Sequence, residues 1–224
     1  MCGRFTQSQS IPAIAEEFGA KQVTGDLAPS YNIAPTQKVA VIITDGVKQI
    51  VPVRWGLVPS WAKDPSIGSK MINARAETIT EKASYKNAFK KRRCLVVADG
   101  FYEWQDTAGI RRPMYIRLKS GKPFGFAGLY EVWKSPEGEE VTTCTIITTE
   151  ANELMKPIHE RMPVIIPKEH QDEWLDPTIQ DQVHLLDMLK PNPAGEMEAY
   201  PVSKRVNSPR NNSPECIKRL EIGE

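Results

Sequence analysis

Residues 94–98, Cys94-Leu95-Val96-Val97-Ala98, form an unbroken apolar run that is too short for a core helix. Such a run fits a strand buried on both faces, so the fold must cover a β-sheet above and below. Other segments extend that sheet. Residues 39–44 and 47–55 flank Asp45-Gly46, one of the strongest short hairpin signals. Pro52 in the second arm makes it an edge strand or breaks it there. Strands are expected again at 113–118, 124–133, 141–149 and 162–166, and a short one at 199–202. The turns Lys119-Ser120-Gly121-Lys122 and Pro136-Glu137-Gly138 lie between them.

Helices are fewer. Ser10 can cap a helix over 11–18, with Ile11, Ile14, Ala15 and Phe18 on one face and Gly19 as its stop. Further helices are expected at 80–91, 150–155, 168–175 and 178–189, and residues 21–37 read as loop. From Pro191 onward prolines, asparagines and charges dominate, so the tail, about 207–224, is expected to wrap the surface or to be flexible. Many strands with scattered helices predict an α+β fold: one β-rich domain over residues 1–224, built of curved, mostly antiparallel sheets with a few short peripheral helices.

A chain of 224 residues can bury a substantial core in one domain. Its net charge of +1 gives no global attraction to a polyanion, so any nucleic-acid contact must come from a local patch. No apolar run reaches the ~18 residues of a membrane span, and a cytoplasmic address, with no membrane partner, is the expectation. Cys2, Cys94, Cys144 and Cys216 share no C-x-x-C spacing, and His159, His170 and His184 complete no zinc pattern. Neither a metal nor a cofactor is expected. Glycine-rich phosphate loops and a G-x-S-x-G elbow are absent from the sequence.

Chemistry is concentrated in a few short stretches. In Met1-Cys2-Gly3-Arg4-Phe5, removal of Met1 would leave Cys2 with a free α-amine beside its own thiol. The reference pKa values are about 7.7–8.0 for the amine and about 8.5 for the thiol, so both nucleophiles are accessible near neutral pH. An aldehyde meeting this 1,2-aminothiol can form a Schiff base and then a five-membered thiazolidine; an acyl group can instead be attacked by the thiolate. Glu103, among Phe101, Tyr102 and Trp104, is either a desolvated acid–base group with a raised pKa or an outward carboxylate paired with an arginine. His159, in a polar connector, can reach a site or bond to its own backbone. Asn73 and Arg75 share one face of an extended segment, where an amide can orient a nucleophile and an arginine can clamp a phosphate. Trp55 reads as a core anchor, whereas Trp61 fits either a core or a base-stacking role. The run Lys90-Lys91-Arg92-Arg93 suits a helix C-terminus or a phosphate track.

Together Met1-Cys2-Gly3-Arg4-Phe5, Tyr31-Asn32-Ile33-Ala34-Pro35, the stretch from Trp55 to Trp61, Ile72-Asn73-Ala74-Arg75-Ala76-Glu77, Asp99-Gly100-Phe101-Tyr102-Glu103-Trp104 and Ile158-His159-Glu160-Arg161-Met162-Pro163 resemble the SRAP (SOS response-associated peptidase) family. The resemblance runs from Cys2 to about Val206. It implies a sensor of abasic sites in single-stranded DNA that crosslinks the lesion aldehyde to the N-terminal cysteine as a thiazolidine and so protects it. It further implies catalytic roles for Cys2, Asn73, Glu103 and His159, DNA-backbone contacts for Arg4 and Arg75, and a lesion-side aromatic at Trp61. Where some members carry a second tryptophan after this position, the chain has Ala62. A monomer is expected, associated with the nucleoid when it acts on DNA.

Three other readings compete. A thiol autopeptidase could remove Met1 with Cys2, His159 and Glu103. A papain-like protease could use Cys2 and His159, although the local signature of the papain cysteine is missing. A plain single-strand binder would leave Cys2 incidental.

Overall fold

A computed structural model describes residues 2–22 and 27–220. The expectations for Met1, for residues 23–26 of the loop and for the last residues of the tail, 221–224, lie outside the described residues. The strands are β1 (Phe5–Gln7), β2 (Lys21–Gln22), β3 (Ser30–Ile33), β4 (Lys38–Thr44), β5 (Lys48–Trp55), β6 (Asn73–Arg75) and β7 (Arg93–Ala98). After them come β8 (Gly100–Thr107), β9 (Ile110–Leu118), β10 (Phe124–Lys134), β11 (Glu140–Glu150), β12 (Arg161–Pro163), β13 (Ile165–Ile166) and β14 (Met197–Pro201). The α-helices are short: α1 (Ile11–Phe18), α2 (Lys86–Lys91), α3 (Gln171–Leu175) and α4 (Gln182–Asp187). None of the described helices is long and apolar enough to cross a membrane.

Two sheets result. In one, β11, β10, β7, β4 and β5 follow one another antiparallel, and β5 returns to β11 in parallel at Arg54–Thr143 and Trp55–Cys144, closing a five-stranded barrel. The other has the order β14-β9-β8-β1-β3 and is antiparallel throughout. Every residue of β7 is buried because both its faces are covered. Leu95 and Val97, with Ala40, Ile42 and Leu129, meet the helices through Phe89 and Trp174. Cys94 and Val96 join Phe5, Trp55, Phe101, Phe126 and Ile146 in a second core that also contains Cys2.

Several expectations need correction. The stretch read as loop carries β2 and β3; β3 has only four residues between Pro29 and Pro35, too few for its alternation to register in the sequence. The helix expected at 80–91 begins at Lys86, because Ile79 is drawn into the core and Thr78, Thr80 and Ser84 favour turns. Residues 153–158 form turns, not a helix: the Asn152 side chain accepts from Met155 N–H at 3.0 Å. The helix expected at 178–189 is reduced to α4, capped by Asp181, because Asp176 first closes a turn onto Thr178. The strand expected at 162–166 divides at Val164, whose backbone bonds to both Ala127 and Ile147. β5 runs unbroken through Pro52 and is no edge; the proline falls in the gap between the partners of β5, with β2 at Gln49–Ile50 and β11 at Arg54–Trp55. In the basic run, Arg92 pairs with Glu131 at 2.7 Å, and buried Arg93 donates to carbonyls of Phe89, Lys90, Trp174, Asp176 and Ile179. Structure therefore claims both arginines.

Gly100, where the chain passes from β7 into β8, is backed by Tyr115: a Cβ there would stand 2.1 Å from the phenol oxygen. Gly100→Ala should lower unfolding stability by about 1–3 kcal/mol, the usual cost of overpacking, measured as a lower urea midpoint with an unchanged m-value.

Candidate functional site

The N-terminal segment is held from both sides. Phe5 pairs with Ile33 of β3 and Phe101 of β8, and Tyr102 N–H donates to Arg4 O at 2.9 Å. Buried Asp99 fixes the register, accepting from the Thr6 hydroxyl, from Ser8 N–H at 2.5 Å and Oγ at 2.6 Å, and from Gln9 N–H at 3.2 Å. Cys2 is thereby lodged in the core with no exposed surface.

Asn73, on β6 beside β11, donates from Nδ2 to Cys2 O at 2.8 Å. Its Oδ1 is buried and has no hydrogen-bond partner among the described residues. Glu103 follows Phe101 by two residues on β8, so both face the core that holds Cys2, whereas Tyr102 and Trp104 face the other way. Only 5% of Glu103 is exposed, and burial raises its pKa above the ordinary carboxyl value, opposed by the nearby His159 ring. Burial, reinforced by the Glu103 charge, holds the Cys2 thiol far above its usual range. His159 lies at the end of the 153–158 turns. Its Nδ1 lies 2.9 Å from Arg161 N, which donates to it, and 3.2 Å from Arg161 O, so the Arg161 backbone holds the ring. Arg161 itself clasps Glu77 with two bonds of 2.7 and 2.9 Å and donates to Thr148 O at 2.6 Å, pulling the Glu77 pKa down.

Asn73 thus grips the Cys2 backbone, Glu103 lies close enough to act on the Cys2 thiol, and His159 lies close enough to act on Glu103. The arrangement offers a nucleophile, an amide that grips its carbonyl, and two groups that exchange protons. A buried carboxyl with a raised pKa can give a proton to a leaving water or take one from a thiol.

Arg4 and Arg75 each stand two residues from a member of this group, and Trp61 is not tied to it among the described residues. Arg75 is exposed on β6, two residues from Asn73 on the same face. Arg4 is half-buried, with Nη1 donating to Asn32 Oδ1 at 2.7 Å and Val206 O at 2.8 Å, and its guanidinium lies 5.8 Å from the centre of the Trp104 ring. Trp61 is 61% exposed, and among the described residues it makes no hydrogen bond or ring contact with the Cys2 group. Trp55 is the core anchor, bonded through Nε1 to Ile72 O at 2.9 Å. Sequence reading used Trp104 only as one of the aromatics around Glu103 and gave Asn32 no role of its own. The available signal was Asn32 itself, an amide in the middle of a short apolar strand.

A family model described as SOS response associated peptidase (SRAP) matches residues 1–209. The chain belongs to the SRAP family. Over 222 residues this SRAP chain is 51% identical to the abasic site processing protein YoqW of Bacillus subtilis (strain 168), covering 97% of this chain and 99% of that one. It is 34% identical to the abasic site processing protein HMCES of Gallus gallus, covering 89% of this chain and 68% of that one. A crystal structure of a protein from Bacteroides thetaiotaomicron matches with TM-score 0.90 and 29% identity, covering 98% of this chain and all of that one. The β-rich domain with its curved sheets and five-stranded barrel is the SRAP fold.

Proposed function

We propose that this protein recognises abasic sites in single-stranded DNA and, once Met1 is removed, captures them covalently at Cys2, shielding the lesion. The observation that carries the reading is the buried Glu103, with its raised pKa, beside an N-terminal cysteine whose carbonyl Asn73 grips. The names of the SRAP relatives, abasic site processing proteins, point to the same substrate.

The steps balance as follows. The Cys2 α-amine adds to C1′ of the ring-opened sugar, giving a carbinolamine. Glu103 as acid protonates its hydroxyl, which leaves as water, and the C=N bond forms. Glu103, now a carboxylate, takes the thiol proton. Sulfur attacks the carbon of the protonated imine, and the C=N electron pair returns to nitrogen, which keeps the hydrogen it already carries. The net change is aldehyde plus aminothiol to thiazolidine plus one water. In the same reading His159 protonates the sugar oxygen during ring opening, and Asn73 Oδ1, which has no hydrogen-bond partner among the described residues, accepts from the amine. Arg4 and Arg75 hold flanking phosphates, and exposed Trp61 offers a stacking face. The protein acts as a monomer without metal or cofactor.

Met1-free protein mixed with an abasic single strand should give a complex that survives denaturation, and none with an intact strand of the same sequence. Complex yield at limiting protein should fall as salt rises, with about 0.7 of log–log slope for each phosphate contacted. No denaturation-resistant complex with either strand would return the question to a peptidase or a simple single-strand binder.

A further inference from the structure

The stretch around residue 209, where the family match ends, is not idle. Residues 206–212 form a turn gripped by one buried amide: Asn32, 1% exposed, donates from Nδ2 to Val206 O at 3.2 Å, Ser208 O at 3.0 Å and Asn211 O at 2.7 Å. Two protons shared among three carbonyls leave that amide no freedom to flip, because its Oδ1 already accepts from Arg4. The turn is tied down further on. Asn212 Oδ1 accepts from Tyr31 N–H at 2.6 Å, buried Cys216 donates from Sγ to Asn211 O at 3.4 Å, and Val202 bridges to Arg219. Asn207 Oδ1 accepts from Trp104 Nε1 at 2.8 Å and so fixes the ring over which Arg4 lies.

The contacts of Asn32, Val206 and Trp104 meet at one cation. Arg4 has no carboxylate partner among the described residues; two carbonyl-type oxygens take its Nη1 and an indole covers its face. Its Nε is buried without a hydrogen-bond partner, and Nη2 makes no hydrogen bond, among the described residues. A half-buried guanidinium with unspent donors and no counter-charge suits a phosphate oxygen, and the fixed rotamer lowers the ordering cost of binding.

We propose that Asn32 and the C-terminal strap at 206–212 are positioning elements of the lesion site, setting the Arg4 guanidinium as a phosphate clamp two residues from Cys2. This rests on the abasic-site reading above and adds the parts that aim the arginine. Neither Asn32 nor the strap touches the reacting atoms.

The test compares two substrates with the same Met1-free proteins: an abasic single strand, which has phosphates, and glycolaldehyde, which has none. Asn32→Ala should slow capture of the abasic strand about tenfold at limiting protein, the loss of one charge-assisted contact. It should also reduce the salt slope by about 0.7, one counterion on a single strand. The glycolaldehyde rate should not move. Asn212→Ala, which loosens the strap away from Arg4, should shift the same two quantities in the same direction. In a cycle with Arg4→Ala, the double variant Arg4→Ala/Asn32→Ala should be no slower than Arg4→Ala alone. Asn32→Ala with wild-type DNA kinetics, equal losses on both substrates, or multiplying effects in the cycle would each overturn the positioning role. A wild type that captures glycolaldehyde but not the abasic strand sinks the parent reading, and this one with it.

Discussion

Cys2→Ser and a variant that retains Met1 should both lose the denaturation-resistant complex entirely, and for different reasons. Serine keeps the α-amine, so an imine with the abasic aldehyde still forms. The hydroxyl is too weak a nucleophile to close and hold the ring, and the imine hydrolyses when the protein is denatured. Adding borohydride during the reaction should therefore rescue a complex with Cys2→Ser by reducing the C=N bond. In the Met1-retaining protein the Cys2 nitrogen is an amide and forms no imine, so any complex that borohydride fixes there must be borne on another amine, such as that of Met1 itself. Denaturing electrophoresis with and without reductant reads all four combinations. An unreduced, heat-stable complex in either variant contradicts thiazolidine capture.

Glu103→Gln should slow complex formation by about 10²- to 10⁴-fold, the range of a lost general acid–base group. The Cys2 thiol, pushed far up by burial and by Glu103, does not ionise into water at neutral pH, so its proton needs a local acceptor. The pH profile gives the sign. Burial raises the Glu103 pKa, so its acid form persists above the ordinary carboxyl range, and the wild-type rate should decline as pH rises through that raised value. Glutamine removes this basic limb. Stability should move the other way. A raised folded pKa means that Glu103 costs the fold nothing below the unfolded carboxyl value, and the penalty grows as pH rises through the folded one. Above that window Glu103→Gln should be more stable than wild type by urea unfolding while reacting far more slowly. A variant that lost rate and stability together would point to a structural role alone.

Much of this was legible in the residues, and the parts that were not share a cause. Asp45-Gly46 and the run at 94–98 define strands through local chemistry, and Ser10 and Gly19 bound α1 through capping groups that are read directly. The barrel closure was invisible, because a parallel contact between Arg54–Trp55 and Thr143–Cys144 leaves no trace in periodicity. The helices expected at 80–91 and 150–155 failed where one side chain overrode propensity: Ile79 seeking the core, Asn152 closing a turn. In the site, Cys2, Asn73, Glu103 and His159 were named from residue type and motif. Their convergence comes from β1, β6, β8 and a turn far apart in sequence, and the parts of Asn32 and Trp104 in holding Arg4 emerged only once the tail was seen to fold back on it.

The most direct measurement is the intact mass of the product from Met1-free protein and an abasic oligonucleotide, without reductant, followed by peptide mapping. Thiazolidine capture predicts the sum of the two masses less one water, borne on the peptide that begins at Cys2, with its thiol blocked to alkylation. A product on any other residue, or one at Cys2 whose thiol still alkylates, would contradict it.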